Sequence, residues 1–121
     1  MRLLSHVDLR VRDRARAHRF YDALFAEFGV EREEAPLFTC YQHTPDGDWF
    51  GFTEERSAPP CRARIALHAP DRAFVDRIAA VLPGLGASGI EMDDGIYGPK
   101  YYAVFFDDPD GNALEVCYYG P

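Results

Sequence analysis

The chain has 121 residues, 47% of them hydrophobic and 27% charged, a size and balance expected of one compact globular domain spanning 1–121. A formal net charge of −7 and a pI near 4.9 argue against nucleic acid or an anionic membrane as partner, and no apolar run approaches the ~20 residues of a membrane helix. Three cysteines, Cys40, Cys61 and Cys117, are an odd number without metal-type spacing, which points to a reduced, cytoplasmic setting.

The opening stretch "MRLLSHVDLR" lacks the long apolar run of a secretory signal and leads straight into a strand pattern. In residues 6–11, Val7, Leu9 and Val11 alternate with His6, Asp8 and Arg10, the period of a half-buried strand. Asp13 is placed to cap a helix whose apolar stripe is Ala17, Phe20, Tyr21, Leu24 and Phe28, ending at Gly29. His18 falls on the polar side of that helix and is expected in solvent. "TPDGDWFGF" at 44–52 gives a turn running into a strand, with His43 before the turn and one of Trp49 and Phe50 in the core.

A second strand pattern follows at 64–69, where Ile65 and Leu67 alternate with Arg64, Ala66 and His68. Asp71 caps a second helix with Phe74, Ile78, Val81 and Leu82 on its apolar face, and Pro83-Gly84 is expected to stop it. The Gly-rich segment 83–100 reads as a long, mobile loop. "YYAVFF" and "ALEVCYY" then flank the turn in "DDPDGN" as a β-hairpin. Within it Leu114 and Val116 belong to the core face, and Ala113, Glu115 and Cys117 to the other. Tyr101 and Tyr102 point to opposite faces; with Tyr97 they flank the loop and are placed to stack on a ligand or donate hydroxyl hydrogen bonds.

These elements repeat. "RIALHAPD" at 64–71 matches "HVDLRVRD" at 6–13 with an offset of 58, and "DPDGNALEV" at 108–116 matches "TPDGDWFGF" at 44–52 with an offset of 64. Each half reads strand, helix, short strand, hairpin, with the first repeat about 1–57 and the second about 58–121. Neither half alone has much core, so the two are expected to pack as one domain. If the sheets curve around a cavity, His6, Arg10, Arg64, His68 and Glu115 line it. If they do not, the same residues form the wet face of an ordinary sheet.

"HVDLRVRDRARAHRFYDALFAEFGV" followed by a terminal "DPDGNALEV" resembles the vicinal oxygen chelate superfamily, which includes glyoxalase I, bleomycin resistance proteins and extradiol dioxygenases. The resemblance covers nearly the whole chain and is specific for the fold, far less so for the reaction. It implies an α+β fold of two tandem β-α-β-β-β repeats whose curved mixed sheets enclose a cleft, and a homodimer. It also implies a divalent metal held by four inward positions, at the start of each repeat's first strand and on each last strand. Carried over through the repeat, those positions are His6, Arg64, Gly51 and Glu115.

His6 and Glu115 keep ligand chemistry, whereas Arg64 has no lone pair to donate and Gly51 has no side chain. Three arrangements follow. A metal is still bound by His6 and Glu115, with His68 roughly 13 Å from Arg64 along the strand; or Arg64 supplies the positive charge, pairing with Glu115 or an anionic ligand; or the site is a metal-free pocket that sequesters a compound. The second and third together are favoured. The expected function is to act on or bind a small organic molecule, an anionic one among the candidates, with a degenerate metal site. Its catalytic candidates are His6 and Glu115, and Arg10, Arg64, His68, Tyr101 and Tyr102 are the ligand-binding ones. The alternative is a metal-dependent lyase or dioxygenase using His6 and Glu115.

Overall fold

The computed structural model describes residues 3–45 and 47–121; Asp46, in the first expected turn, lies outside them. The chain divides into two compact units, residues 1–60 and 61–121. Each is a β-α-β-β-β unit with one helix and one mixed four-stranded sheet, so the fold is the expected α+β.

In the first unit, β1 (His6–Val11), α1 (Arg14–Ala26), β2 (Arg32–Glu34), β3 (Thr39–Gln42) and β4 (Trp49–Glu54) form a sheet of order β1-β4-β3-β2. β1 runs parallel to β4, and the other pairs are antiparallel. The alternation in β1 buries Leu9 and Val11 on the side of Phe50, Phe52 and Tyr41. α1 covers that side with aromatic rings: Tyr21 lies 5.2 Å from Phe50, and Phe25 is stacked 4.5 Å from Tyr41.

Asp13 caps α1 as expected, its carboxylate accepting the Arg16 amide at 3.1 Å. Glu54, at the end of β4, accepts the Arg14 amide at 2.8 Å, so the sheet also caps the helix. The expected solvated His18 is overturned. Its Nε2 lies 2.9 Å from Oγ1 of the fully buried Thr39, its ring packs 5.6 Å from Phe52, and its side chain is only 17% exposed. Arg14, His18 and Phe25 line up with Tyr21 of the stripe read from the sequence and widen the side that faces the sheet. A buried threonine hydroxyl also needs a partner, and His18 provides it.

In the second unit, β5 (Ile65–His68), α2 (Arg72–Leu85), β6 (Ser88–Asp94), β7 (Tyr101–Asp107) and β8 (Ala113–Tyr119) form a sheet of order β5-β8-β7-β6, with β5 parallel to β8. Asp71 caps α2 through the Phe74 amide at 2.8 Å. Phe74, Val75, Ile78 and Leu82 are buried on the side of Val104, Phe106, Leu114 and Val116.

The expected stop at Pro83 and the expected loop over 83–100 are both corrected. α2 runs through Pro83 to Leu85 and is closed by Gly86 at φ 91, whose amide reaches the Leu82 and Pro83 carbonyls. Pro83 has no amide to bond back into the preceding turn, and the buried Ile78 and Leu82 hold that turn in place. Seven of the residues assigned to a loop are β6, paired antiparallel to β7 with an irregularity between Ser88 and Glu91, where Gly89 takes φ 60. The turn after β7 is locked by Asp108, whose carboxylate accepts the amides of Asp110 and Asn112 at 2.9 Å each. Asn112 in turn accepts the Cys61 amide at 2.7 Å.

The registers of the two units agree. Asp8 pairs with Gly51 in the first, and Ala66 pairs with Glu115 in the second. Those four positions are related by the offsets 58 and 64 read from the sequence.

Candidate functional site

In the second unit, one face of the sheet lies away from α2. β8 contributes Glu115, Cys117 and Tyr119 to it, and β7 contributes Tyr101 and Phe105. Glu115 is 5% exposed, and its carboxylate accepts the hydroxyl of Tyr101, itself buried. A carboxylate in such a place needs a donor, and the phenol supplies one. The arrangement raises the Tyr101 hydroxyl well above the usual phenol range, first through burial and then through the bond to Glu115. Cys117 stands beside the same carboxylate. Burial, followed by the Glu115 charge, pushes its thiol up to about 11. Tyr97 packs edge-on at 4.9 Å and Tyr119 tilted at 6.3 Å around the Tyr101 ring.

Arg64, just before β5, lies with its guanidinium 4.1 Å above the Phe105 ring. Phe105 is the cross-strand partner of Glu115, so both groups belong to one surface. The expected Arg64–Glu115 pair does not form: Glu115 takes its hydrogen bond from Tyr101, and among the described residues no ion pair holds Arg64. Arg64 sits two residues from the Ala66–Glu115 level, about 7 Å along the strand. His68 is exposed at the level of Cys117. Tyr102 faces the other way. Its hydroxyl donates to Asp76 on α2 at 2.5 Å, and Arg72 lies over its ring.

The equivalent face of the first unit has a different composition. His6 is exposed and stacks on Trp49 with ring centres 4.2 Å apart and planes 4° from parallel. Arg10 is paired with Asp8 at 2.8 Å, and Thr53 donates to the same carboxylate at 3.0 Å. Gly51 is not an empty ligand position. A Cβ there would lie 2.6 Å from the Thr39 carbonyl oxygen and 2.6 Å from the Trp49 ring. The indole occupies the space that a donor side chain would need.

The chemistry of the four family positions therefore does not fit a metal held by four side-chain donors. Among the described residues no group of three or more His, Cys, Asp or Glu side chains comes together to hold an ion. A hollow of about 630 Å³ in the first unit, between the start of α1 and the β2–β3 loop, is lined by Arg14, His18, Glu34 and Glu54. Arg14 and Glu54 there are engaged in tying the helix to the loop and to β4.

Sequence reasoning placed Glu115 and Arg64 on their face and left open which of Tyr101 and Tyr102 shares it. It did not connect Tyr101 to Glu115 or Phe105 to Arg64, since both contacts join strands whose register the sequence does not state. Two residues from Trp49, the lone glycine inside a strand pattern was the available signal for its ring, because such a glycine marks close approach of another group.

A family model described as the Glyoxalase/Bleomycin resistance protein/Dioxygenase superfamily matches residues 3–116. Among solved structures, the chain is similar to a glyoxalase/bleomycin resistance protein from Albidiferax ferrireducens T118. That match has a TM-score of 0.81 and 22% identity, covering 98% of this chain and 100% of that one. A glyoxalase/bleomycin resistance protein/dioxygenase family enzyme from Burkholderia phytofirmans PsJN matches with a TM-score of 0.74 and 17% identity over 96% and 98% of the two chains. A glyoxalase/dioxygenase from Nostoc punctiforme gives 0.69 and 21% over 99% and 92%. No curated protein sequence matches the chain. At these identities the structures establish a shared fold, and the family model establishes membership over most of the chain. This protein belongs to the Glyoxalase/Bleomycin resistance protein/Dioxygenase superfamily.

Proposed function

We propose that the protein binds or acts on a small organic molecule carrying an anionic group, over the open face of the second sheet and without a structural need for a metal. The observation that carries this reading is the pairing of two unlike groups on one surface. Arg64 presents an exposed guanidinium backed by the Phe105 ring, and about two residues along lies a buried carboxylate already supplied with a donor. The guanidinium can take a carboxylate or similar anion through two parallel N–H bonds. The Tyr101–Glu115 pair then meets the polar remainder of the ligand, Tyr101 as a hydroxyl held in its neutral form and Glu115 as acceptor.

Support for a small-molecule role comes from superfamily membership. Two further features go with the reading. A homodimer is implied by the family resemblance. A reducing cytoplasmic setting accords with the three free cysteines; among the described residues no helix is long and apolar enough to cross a membrane.

Calorimetric titration with benzoate and lactate against their methyl esters tests the proposal. The acids should bind and the esters should not, and Arg64→Ala should remove the difference. Equal binding of acid and ester, or acid binding that survives Arg64→Ala unchanged, overturns it. Light scattering tests the dimer separately.

A further inference from the structure

The first unit carries a second surface that the reading above does not use. Trp49 is half-buried on the sheet face away from α1, with Phe38 stacked 5.6 Å from it and His6 at 4.2 Å, nearly parallel. The backbone beneath the indole is shaped for it. Gly51 is the residue two along on the same face, and any side chain there would collide with both the ring and the Thr39 carbonyl. The indole thus has a fixed seat. Its cover has a much lighter one: His6 is exposed, at the first residue of an edge strand, and its imidazole is otherwise held by the hydroxyl of the adjacent Ser5 at 3.0 Å. A rigid aromatic platform under a small, loosely tethered flat ring is the geometry of a stacking site with a resident placeholder.

We infer that Trp49 is a binding platform for a flat, electron-poor conjugated ring, and that the ligand takes the position of the His6 imidazole on the indole. The indole face is electron-rich, so an electron-poor heteroaromatic ring gains more from stacking on it than a saturated ring of similar size. The ligand is uncharged at that ring, since the charged neighbours Asp8 and Arg10 already neutralise each other. This inference depends on the first unit alone and is independent of Arg64 and Glu115.

Trp49 is the only tryptophan of the chain, which gives the test a direct reporter. The intact protein is titrated with quinoxaline, a neutral, flat, electron-poor bicycle, and with cyclohexanone as the saturated control, following indole emission. Quinoxaline should quench saturably, and cyclohexanone should not. His6→Ala should bind quinoxaline roughly two- to tenfold more tightly, because the ligand no longer displaces a stacked ring. Followed by calorimetry, Trp49→Leu should lose binding; Trp49→Phe, which keeps an aromatic ring in the seat, should bind more weakly than wild type. Absence of saturable quenching in both wild type and His6→Ala, weaker binding by His6→Ala, or full binding by folded Trp49→Phe each overturns the inference.

Discussion

The two repeats place a large side chain at opposite ends of the same short stretch of strand. In β4, Trp49 is large and Gly51, two residues on, has no side chain; in β8 the matching residues are Ala113 and Glu115. On a strand these positions share a face and compete for the same volume. Where the first residue is an indole, the second must be glycine; where the first is a methyl group, the second has room for a carboxylate. The cross-strand partners change in step. The first repeat sets Asp8, exposed and neutralised by Arg10, opposite its glycine, and the second sets Ala66 opposite its buried Glu115. A duplicated frame has kept its register and exchanged its chemistry.

The sharpest way to break this comparison is to force the second repeat's solution onto the first. Gly51→Ala should cost about 1–3 kcal/mol in denaturant unfolding, since the added methyl meets a backbone oxygen that cannot swing aside. Trp49→Ala in the same chain should relieve only the ring collision, leaving the one with Thr39. Gly51→Glu should for the same reason give no gain in zinc affinity, even combined with Arg64→His. A stable Gly51→Glu/Arg64→His protein that binds zinc tightly would show that the strand can rearrange and that size does not dictate the exchange.

In the second repeat, Tyr101→Phe strands a buried carboxylate and should cost about 1–3 kcal/mol near neutral pH. Adding Glu115→Leu should recover part of the loss, because an apolar pair leaves no polar group unsatisfied. Additive losses in the double mutant would mean that the two side chains do not act as a pair.

A third outcome concerns a feature the repeats share. Tyr41 donates to Asp22 in the first unit as Tyr101 does to Glu115 in the second, and burial raises both hydroxyls above the usual phenol value of 10.0. A folded-state value raised in this way means stability that is complete below the unfolded value and lost as pH rises past it. Each tyrosine should therefore withdraw about 1 kcal/mol between pH 10 and pH 11. Denaturation midpoints between pH 8 and 11 measure this, and Tyr41→Phe or Tyr101→Phe should flatten the fall in proportion. An alkaline slope unchanged from wild type in both variants would refute the assignment.

The smallest effect is expected at Arg64. Losing its contact with Phe105 should cost about 0.5–1 kcal/mol, as for an exposed cation on a ring. Because Glu115 already has its donor in Tyr101, acidification should not rescue the Arg64→Ala variant. A melting temperature recovered at pH 4 would restore the Arg64–Glu115 pair.

Much of the frame was legible from local pattern. Leu9, Val11, Leu114 and Val116 announced their faces by alternation, Asp13 and Asp71 announced two helix starts, and the offsets 58 and 64 matched the positions of one parallel pair to those of the other without stating that either pair forms. β6 was hidden because "SGIEMDD" holds a glycine and three acidic residues, a composition that strands avoid; its existence depends on pairing with β7. Pro83 misled because a proline disturbs the turn before it, and here tertiary packing of Ile78 and Leu82 holds that turn. At the site, alternation placed Glu115 on its face. The partner of that carboxylate was illegible, since Tyr101 is fourteen residues away and meets it only through the β7–β8 register. Trp49 over Gly51 was the harder case. Two residues of one strand gave the clue, but the meaning of the glycine lay in the space above it.

The parallel pairing of first and last strand has a consequence for how the chain comes off the ribosome. β1 waits for β4, and β5 for β8, so in each unit the earliest strand made is completed by the latest. A parallel neighbour cannot be reached by a tight turn, and the helix and hairpin must be in place before the edge is closed. Until residue 54 has emerged, the hydrogen-bonding edge of β1 is open, and the same holds for β5 until β8 is made. Those two intervals of synthesis are when each half is most exposed to pairing with the wrong strand.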